Sequence, residues 1–85
     1  MVLLKIMLSQ IYLFYPNPTK GELTIETNLN TDQRLEIVNL IGQTVYTNII
    51  NKNKTTVNTS AFANGVYFIK LSSNKETVVR KFVKE

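Results

Sequence analysis

GVYFIKLS, at residues 65–72, is the most regular segment of the chain. Tyr67, Ile69 and Leu71 occupy alternate positions, so in an extended chain their side chains lie on one face. Valine, isoleucine, tyrosine and phenylalanine are also enriched in β-strands. The segment begins with a glycine and runs into a polar cluster, as is typical of strand boundaries. Residues 65–72 therefore predict a β-strand with one buried face.

Segments of the same kind recur at spacings near ten residues on the N-terminal side. Leu23 and Ile25 share one face of residues 21–27, and Leu35 and Ile37 share one face of residues 34–39. The other predicted strands are residues 11–15, 43–50, 55–58 and 76–84. Turn-forming residues separate these segments, and no window has a helical period. The pattern predicts an all-β protein, a sandwich or barrel of about seven strands.

The last predicted strand, residues 76–84, alternates less regularly than the others. Val78 and Phe82 share one parity with Arg80, whereas the valines at 79 and 83 share the other parity with a lysine. This pattern fits either a strand that is partly covered on both faces or a strand that carries a β-bulge.

The glycines and one tyrosine indicate particular turns. Gly42 follows Leu40 and Ile41 between two predicted strands, where a tight hairpin requires a positive φ. We expect Gly21 and Gly65 to serve backbone geometry as well. Tyr67 follows soon after Gly65 at a strand start, as in the tyrosine corner of Greek-key sandwiches, whose phenol bonds back to the chain.

The composition restricts the available chemistry. The 85 residues carry a net charge of +4, with 44% apolar and 19% charged residues, which fits one small globular domain. The chain has no cysteine and no histidine, which excludes disulfides, thiolate nucleophiles and imidazole bases. The three glycines are widely separated, so there is no glycine-rich phosphate loop. We expect neither enzymatic activity nor a cofactor.

The acidic residues do not form an evident site. Glu22 and Glu26 share a strand face with their Cα atoms about 13 Å apart. Retaining glycosidases need about 5 Å between the two carboxyl groups, although an inverting geometry is wider. Residues 28–32 offer oxygen ligands for Ca²⁺ but lack the carboxylate density of a strong site. We expect a solvated strand face, a polar loop and no metal site.

Positive charge is concentrated near the C-terminus, where the chain contains five basic residues and two acidic ones. The basic residues are Lys70, Lys75, Arg80, Lys81 and Lys84, and the acidic ones are Glu76 and Glu85. A basic C-terminal segment can bind phosphates, acidic lipids or an acidic partner protein. Alternatively, its lysines can simply protect a sheet edge from aggregation. A role in nucleic-acid binding is disfavoured, because Tyr67 and Phe82 are better placed in the core and no basic stripe crosses several strands.

The first 14 residues are mostly apolar and carry one charged residue, Lys5. The run is shorter than the about 20 apolar residues that span a bilayer, so we expect no membrane insertion. A signal peptide would need a basic start and a small-x-small cleavage site, and neither is present. We expect residues 1–10 to be a linker remnant or an atypical leader, and residues 11–85 to form the domain.

Four segments in the same order resemble one known family. Tyr15-Pro16-Asn17-Pro18, followed by Thr19-Lys20-Gly21 and an alternating strand, is similar to the start of the C-terminal sorting domains of the type IX (Por) secretion system of Bacteroidota. The resemblance continues at residues 39–45 and 64–71 and ends at residues 80–85. It covers residues 11–85.

The resemblance implies a small immunoglobulin-like antiparallel β-sandwich at the C-terminus of a large secreted protein. It also implies that the domain is a sorting signal for secretion and has no catalytic activity. After export to the periplasm, the type IX machinery (an outer-membrane translocon and its shuttle) engages the domain and moves the attached N-terminal cargo to the surface. A sortase-like peptidase then usually cuts upstream of the domain and joins the cargo to lipopolysaccharide. The alternative function on the same fold is a generic adhesion or carbohydrate-binding module. No cargo domain precedes residue 11, so we expect an isolated domain or a truncated reading frame.

The matched residues supply the candidate site. Pro16 and Pro18 favour extended backbone before them, and Asn17 can bond to neighbouring chain, so this segment is expected to be a rigid connection or a contact with the machinery. The expected recognition residues are Lys81, Phe82, Val83 and Lys84. Exposed lysines at 81 and 84 would steer encounter with an acidic partner. A last strand at a sheet edge could also offer its backbone to a partner strand.

Overall fold

The computed structural model describes residues 12–27, 31–74 and 76–85, which form seven β-strands. The strands are β1 (Tyr12–Tyr15), β2 (Glu22–Thr27), β3 (Gln33–Asn39), β4 (Thr44–Ile50), β5 (Lys54–Asn58), β6 (Gly65–Ser72) and β7 (Thr77–Lys84). The all-β prediction is confirmed, and every predicted boundary within these ranges lies within one residue of the observed one. No helix in the described part of the chain is long and apolar enough to cross a membrane.

The strands form two antiparallel sheets. The first has the order β1-β2-β5 and the second has the order β4-β3-β6-β7. The chain passes from one sheet to the other between β2 and β3, between β4 and β5, and between β5 and β6. Three strands facing four, with these crossings, is the architecture of a small immunoglobulin-like sandwich.

The core lies between the sheets and is built from residues of one parity on each strand. The predicted inward residues of β2, β3 and β6 are all buried, which confirms the alternation read from the sequence. Aliphatic side chains buried in this way stabilise the fold by about 1.5–3 kcal/mol each. The core residues are Leu23, Ile25, Leu35, Ile37, Ile50, Val57, Tyr67, Ile69, Leu71 and Phe82.

Strand β7 pairs with β6 in an unbroken register from Gly65 opposite Lys84 to Ser72 opposite Thr77. The β-bulge considered for this strand is therefore wrong. The irregularity lies instead between β3 and β4, where Ile37 faces Tyr46 and the next residue faces Thr44. The extra residue enters β4 next to its hairpin, where a bulge increases the local twist.

Four parts of the chain meet at one end of the sandwich. The C-terminal end of β7 lies beside the start of β6, and the end of β3 lies on the other side of β6. Residues 16–19 join them, because Thr19 forms a parallel bridge with Lys84. This end contains most of the segments that the sequence selected as functional.

Candidate functional site

The C-terminal segment alternates between core and solvent. Phe82 is 1% exposed, and its ring stacks on Tyr67 with 5.5 Å between the ring centroids. Lys81 and Glu85 are exposed, and Val83 is half-buried on the outward side of the sheet. Four residues were expected to contact the machinery. Of these, Phe82 is a core residue, whereas the side chains of Lys81 and Val83 are accessible to a partner.

Lys84 is 6% exposed, so the expectation of an exposed side chain at this position is wrong. The physical reason is parity, since Lys84 follows Phe82 by two residues and its side chain points to the same inner face. The ammonium group donates a hydrogen bond to the Glu85 carbonyl oxygen at 3.2 Å. Lys84 thus closes the end of the sandwich.

The outer edge of β7 is already bonded near the C-terminus. The Thr19 amide donates to the Val83 carbonyl at 2.8 Å, and the Glu85 amide donates to the Thr19 carbonyl at 2.8 Å. The Asn17 side chain accepts a hydrogen bond from the Val83 amide at 3.0 Å, and its Nδ2 lies 3.5 Å from the Lys81 carbonyl oxygen. The expectation that this strand offers its backbone to a partner is therefore wrong between residues 81 and 85.

The sequence of residues 16–19 explains this pairing. Proline has no amide hydrogen, so Pro16 and Pro18 contribute no main-chain donor to a strand edge. The side-chain amide of Asn17 supplies a donor and an acceptor at that point, and Thr19 resumes main-chain pairing. Thr19 is fully buried, and its hydroxyl donates to the Glu22 carbonyl oxygen. These contacts favour a structural role for the proline motif.

Tyr67 forms the predicted tyrosine corner. Its hydroxyl donates to the Ala63 carbonyl oxygen at 2.6 Å, four residues upstream. The ring packs between Phe62 and Phe82, with 5.3 Å between the Phe62 and Tyr67 centroids. Gly65, between the two bonded residues, has a φ of +151°, which side chains disfavour. The expected geometric role of Gly65 is confirmed.

Asn39 organises the hairpin between β3 and β4, a role that the sequence analysis did not assign. Its side-chain oxygen accepts hydrogen bonds from the Ile41 and Gln43 amides at 3.1 and 2.9 Å. Gly42 has a φ of +87°, as predicted for a tight hairpin. The signal that could have revealed Asn39 is its position three residues before that glycine, where asparagine commonly caps a turn.

Gly21 does not have the geometric role expected of it. Its φ is not among the positive values of the described residues, and a Cβ atom there would meet nothing within 4 Å. Its carbonyl accepts a hydrogen bond from the Thr59 amide at 2.9 Å, a contact that any residue can make.

Two tyrosines of β1 hydrogen-bond to carboxylates. The Tyr12 hydroxyl donates to Glu76 Oε2 at 2.7 Å, and partial burial, this bond and the negative charge together raise the pKa of Tyr12 to about 12. The Tyr15 hydroxyl donates to Glu26, which raises the pKa of Tyr15 above its ordinary value, with a smaller contribution from desolvation. The Tyr15 pair links β1 to β2, and the Tyr12 pair links β1 to the residue before β7 in the other sheet. Both bonds favour the protonated phenols.

The described residues contain no group of three or more acidic side chains that could hold a metal ion. Residues 28–30 of the loop considered for Ca²⁺ lie outside the described ranges. A depression of about 300 Å³ lies between the β3–β4 hairpin and the start of β6. Its lining includes Leu40, Ile41, Val66 and Tyr67, which carry no nucleophile or general base with an activating partner.

These features define a class of protein: a small immunoglobulin-like sandwich whose C-terminal strand is bonded into the fold up to its last residue. The family model described as "Secretion system C-terminal sorting domain" matches residues 13–85. The chain belongs to this family. Its function is that of a C-terminal sorting signal for type IX secretion, and the generic adhesion module is not favoured.

The fold is also similar to part of a solved structure. That protein is PorZ, an essential bacterial surface component of the type-IX secretion system of human oral-microbiomic Porphyromonas gingivalis. The TM-score is 0.75 at 20% sequence identity, over 87% of this chain and 11% of PorZ. The chain thus spans about a tenth of that protein, and the likeness shows the fold. No curated protein matches the chain.

Proposed function

We propose that residues 11–85 act as a folded, non-catalytic address that the outer-membrane translocon and its shuttle engage. The attached cargo lies on the N-terminal side, residues 1–10 serve as linker or leader, and a sortase-like peptidase cuts upstream of the fold. The cargo reaches the surface or the medium by way of the periplasm. The observation that supports this proposal best is the family match over residues 13–85.

The exposed part of the C-terminal segment is assigned the recognition role. Lys81 is exposed beside the half-buried Val83, whereas Phe82 and Lys84 hold the segment in the core. An exposed cation steers an acidic partner without a preformed pocket. Lys81 and Val83 therefore contact the machinery directly, and the two inward residues act by keeping the strand in place.

The experiment is a secretion assay in a Bacteroidota host with type IX machinery, in which an exported reporter precedes the full chain. Lys81→Glu should lower the secreted fraction of the reporter several-fold. The matched control is Lys52→Glu, because Lys52 is also exposed but lies between β4 and β5, away from β7. Equal secretion of both variants would contradict the role of Lys81. Substitution is preferable to deletion of residues 81–85, since deletion removes Phe82 from the core.

A further inference from the structure

The outward side of the four-stranded sheet carries contiguous apolar side chains near the C-terminal end of β7, and one further valine lies farther along that strand. Val38 of β3 lies opposite Phe68 of β6, which lies opposite Lys81 of β7. One step along the sheet, Val66 lies opposite Val83. None of these residues belongs to the core between the sheets. We use the name outer face for the outward side chains Val38, Val66, Phe68, Val79 and Val83.

The outer face departs from the usual pattern of an antiparallel sandwich. Strands with one solvated face carry polar residues outward, and β2 and β5 of the other sheet do so with Glu22, Thr24, Lys54 and Thr56. The outward residues at the start of β6, beside the C-terminal end of β7, are instead Val66 and Phe68, and both are partly exposed. Val79, on the edge strand, is 48% exposed. Contiguous apolar surface that is open to water marks an interaction site.

The apolar surface continues to the hairpin at the end of the sandwich. Leu40 is 67% exposed and lines the depression of about 300 Å³ together with Val66. The outer face therefore ends in a concave feature, which gives a partner a place to insert a side chain.

Basic side chains border the outer face. Arg34, Lys70 and Lys81 point outward from β3, β6 and β7, and Glu36 is the acidic side chain among them. Lys70 lies opposite Val79 and Lys81 lies opposite Phe68, so these two lysines separate Val79 from the other apolar side chains of the outer face. Protein interfaces with an apolar centre and a charged rim pair with surfaces of opposite potential.

We propose that the outer face is the docking surface for a protein of the export machinery, and that this protein presents an apolar patch bordered by acidic side chains. The proposal rests on the sorting function above and names the surface that the export machinery binds. Lys81 contributes to the basic rim, and Val66, Phe68 and Val79 contribute the apolar contact.

The test uses the reporter fusion with the full chain and compares three variants. Val79→Glu should lower the secreted fraction about tenfold, because it removes an apolar contact and places a negative charge against the acidic border of the partner. Val79→Lys loses the same apolar contact but suits an acidic rim, so its loss should be smaller. Thr56→Glu, exposed on the outward side of the other sheet, should secrete as the parent chain does.

Each other outcome has a defined meaning. If the fusion with the unchanged chain stays in the periplasm, the sorting function itself is contradicted. Secretion of Val79→Glu at the parental level, or a larger loss with Val79→Lys, would overturn the docking proposal alone. Thermal unfolding of the purified chains compares the stability of the two Val79 variants. A lower stability of Val79→Glu that accounts for its lost secretion would also overturn the docking proposal. Sedimentation that shows a dimer broken by Val79→Glu would assign the surface to a second copy and overturn the proposal.

Discussion

Asn17 illustrates how one side chain replaces main-chain pairing between two prolines. Its amide accepts from the Val83 amide and approaches the Lys81 carbonyl, more than sixty residues along the chain. The segment between β1 and β2 is thereby attached to the last strand of the domain. No pattern in the sequence predicts this contact, because both partners lie at sheet edges and pair through a side chain.

Asn17→Ala should speed amide hydrogen exchange at Val83, since the substitution removes the acceptor of that amide. The loss of stability should be about 1 kcal/mol, as for a typical hydrogen bond. The control is Asn58→Ala, because Asn58 accepts from the Ser60 amide in the same manner at 2.9 Å, remote from β7. Faster exchange at Val83 in both variants, or in neither, would argue against the contact.

Tyr12 and Glu76 provide a pH-dependent contribution at the residue scale. The pKa of Tyr12 is about 12 in the folded chain and near 10 when unfolded. Between these values the unfolded state has released the proton that the folded state still holds, so stability falls as pH rises from about 10 to about 12. This contribution is complete below pH 10.

Glu76→Gln should lower the pKa of Tyr12 toward its ordinary value, because it removes the negative charge and weakens the acceptor. Desolvation remains, so the return should be incomplete. The measurement is phenolate absorbance against pH, with Tyr12→Phe used to identify the relevant transition among the tyrosines. An unchanged Tyr12 transition in Glu76→Gln would contradict the pairing.

At the scale of elements, runs of β-forming residues between turn residues predicted every strand that the structure describes, and alternation predicted the buried faces of β2, β3 and β6. The same alternation contained a signal that was missed, since Lys84 shares the parity of Phe82 and therefore points inward. A lysine is expected in solvent from its charge alone. Parity prevailed because the strand is regular, and the ammonium group of the buried Lys84 side chain still donates a hydrogen bond, to the Glu85 carbonyl oxygen.

Gly42 and Gly21 form a matched pair for testing the turns. Gly42→Ala should cost about 1 kcal/mol, because alanine disfavours a φ of +87°. Gly21→Ala should change stability by less than about 0.5 kcal/mol, since the new methyl group meets nothing within 4 Å. Urea unfolding of the two variants measures both values. A cost at Gly21 equal to that at Gly42 would contradict the assigned geometry.

At the scale of the whole molecule, the sandwich brings the resembling segments to one end. The proline motif pairs with β7, the hairpin at residues 39–43 borders the start of β6, and Tyr67 stacks on Phe82. The sequence could supply the segments and their order. It could not supply the pairing of their edges or the apolar outer face, because both depend on which strands become neighbours.

The central claim is that the chain carries an attached protein out of the cell through the type IX machinery. The direct measurement is the location of an exported reporter fused in front of the full chain, in a competent host and in the same host without the outer-membrane translocon. We expect the reporter outside the competent cells and in the periplasm of the deficient ones. A reporter found in the same compartment in both strains would contradict the claim.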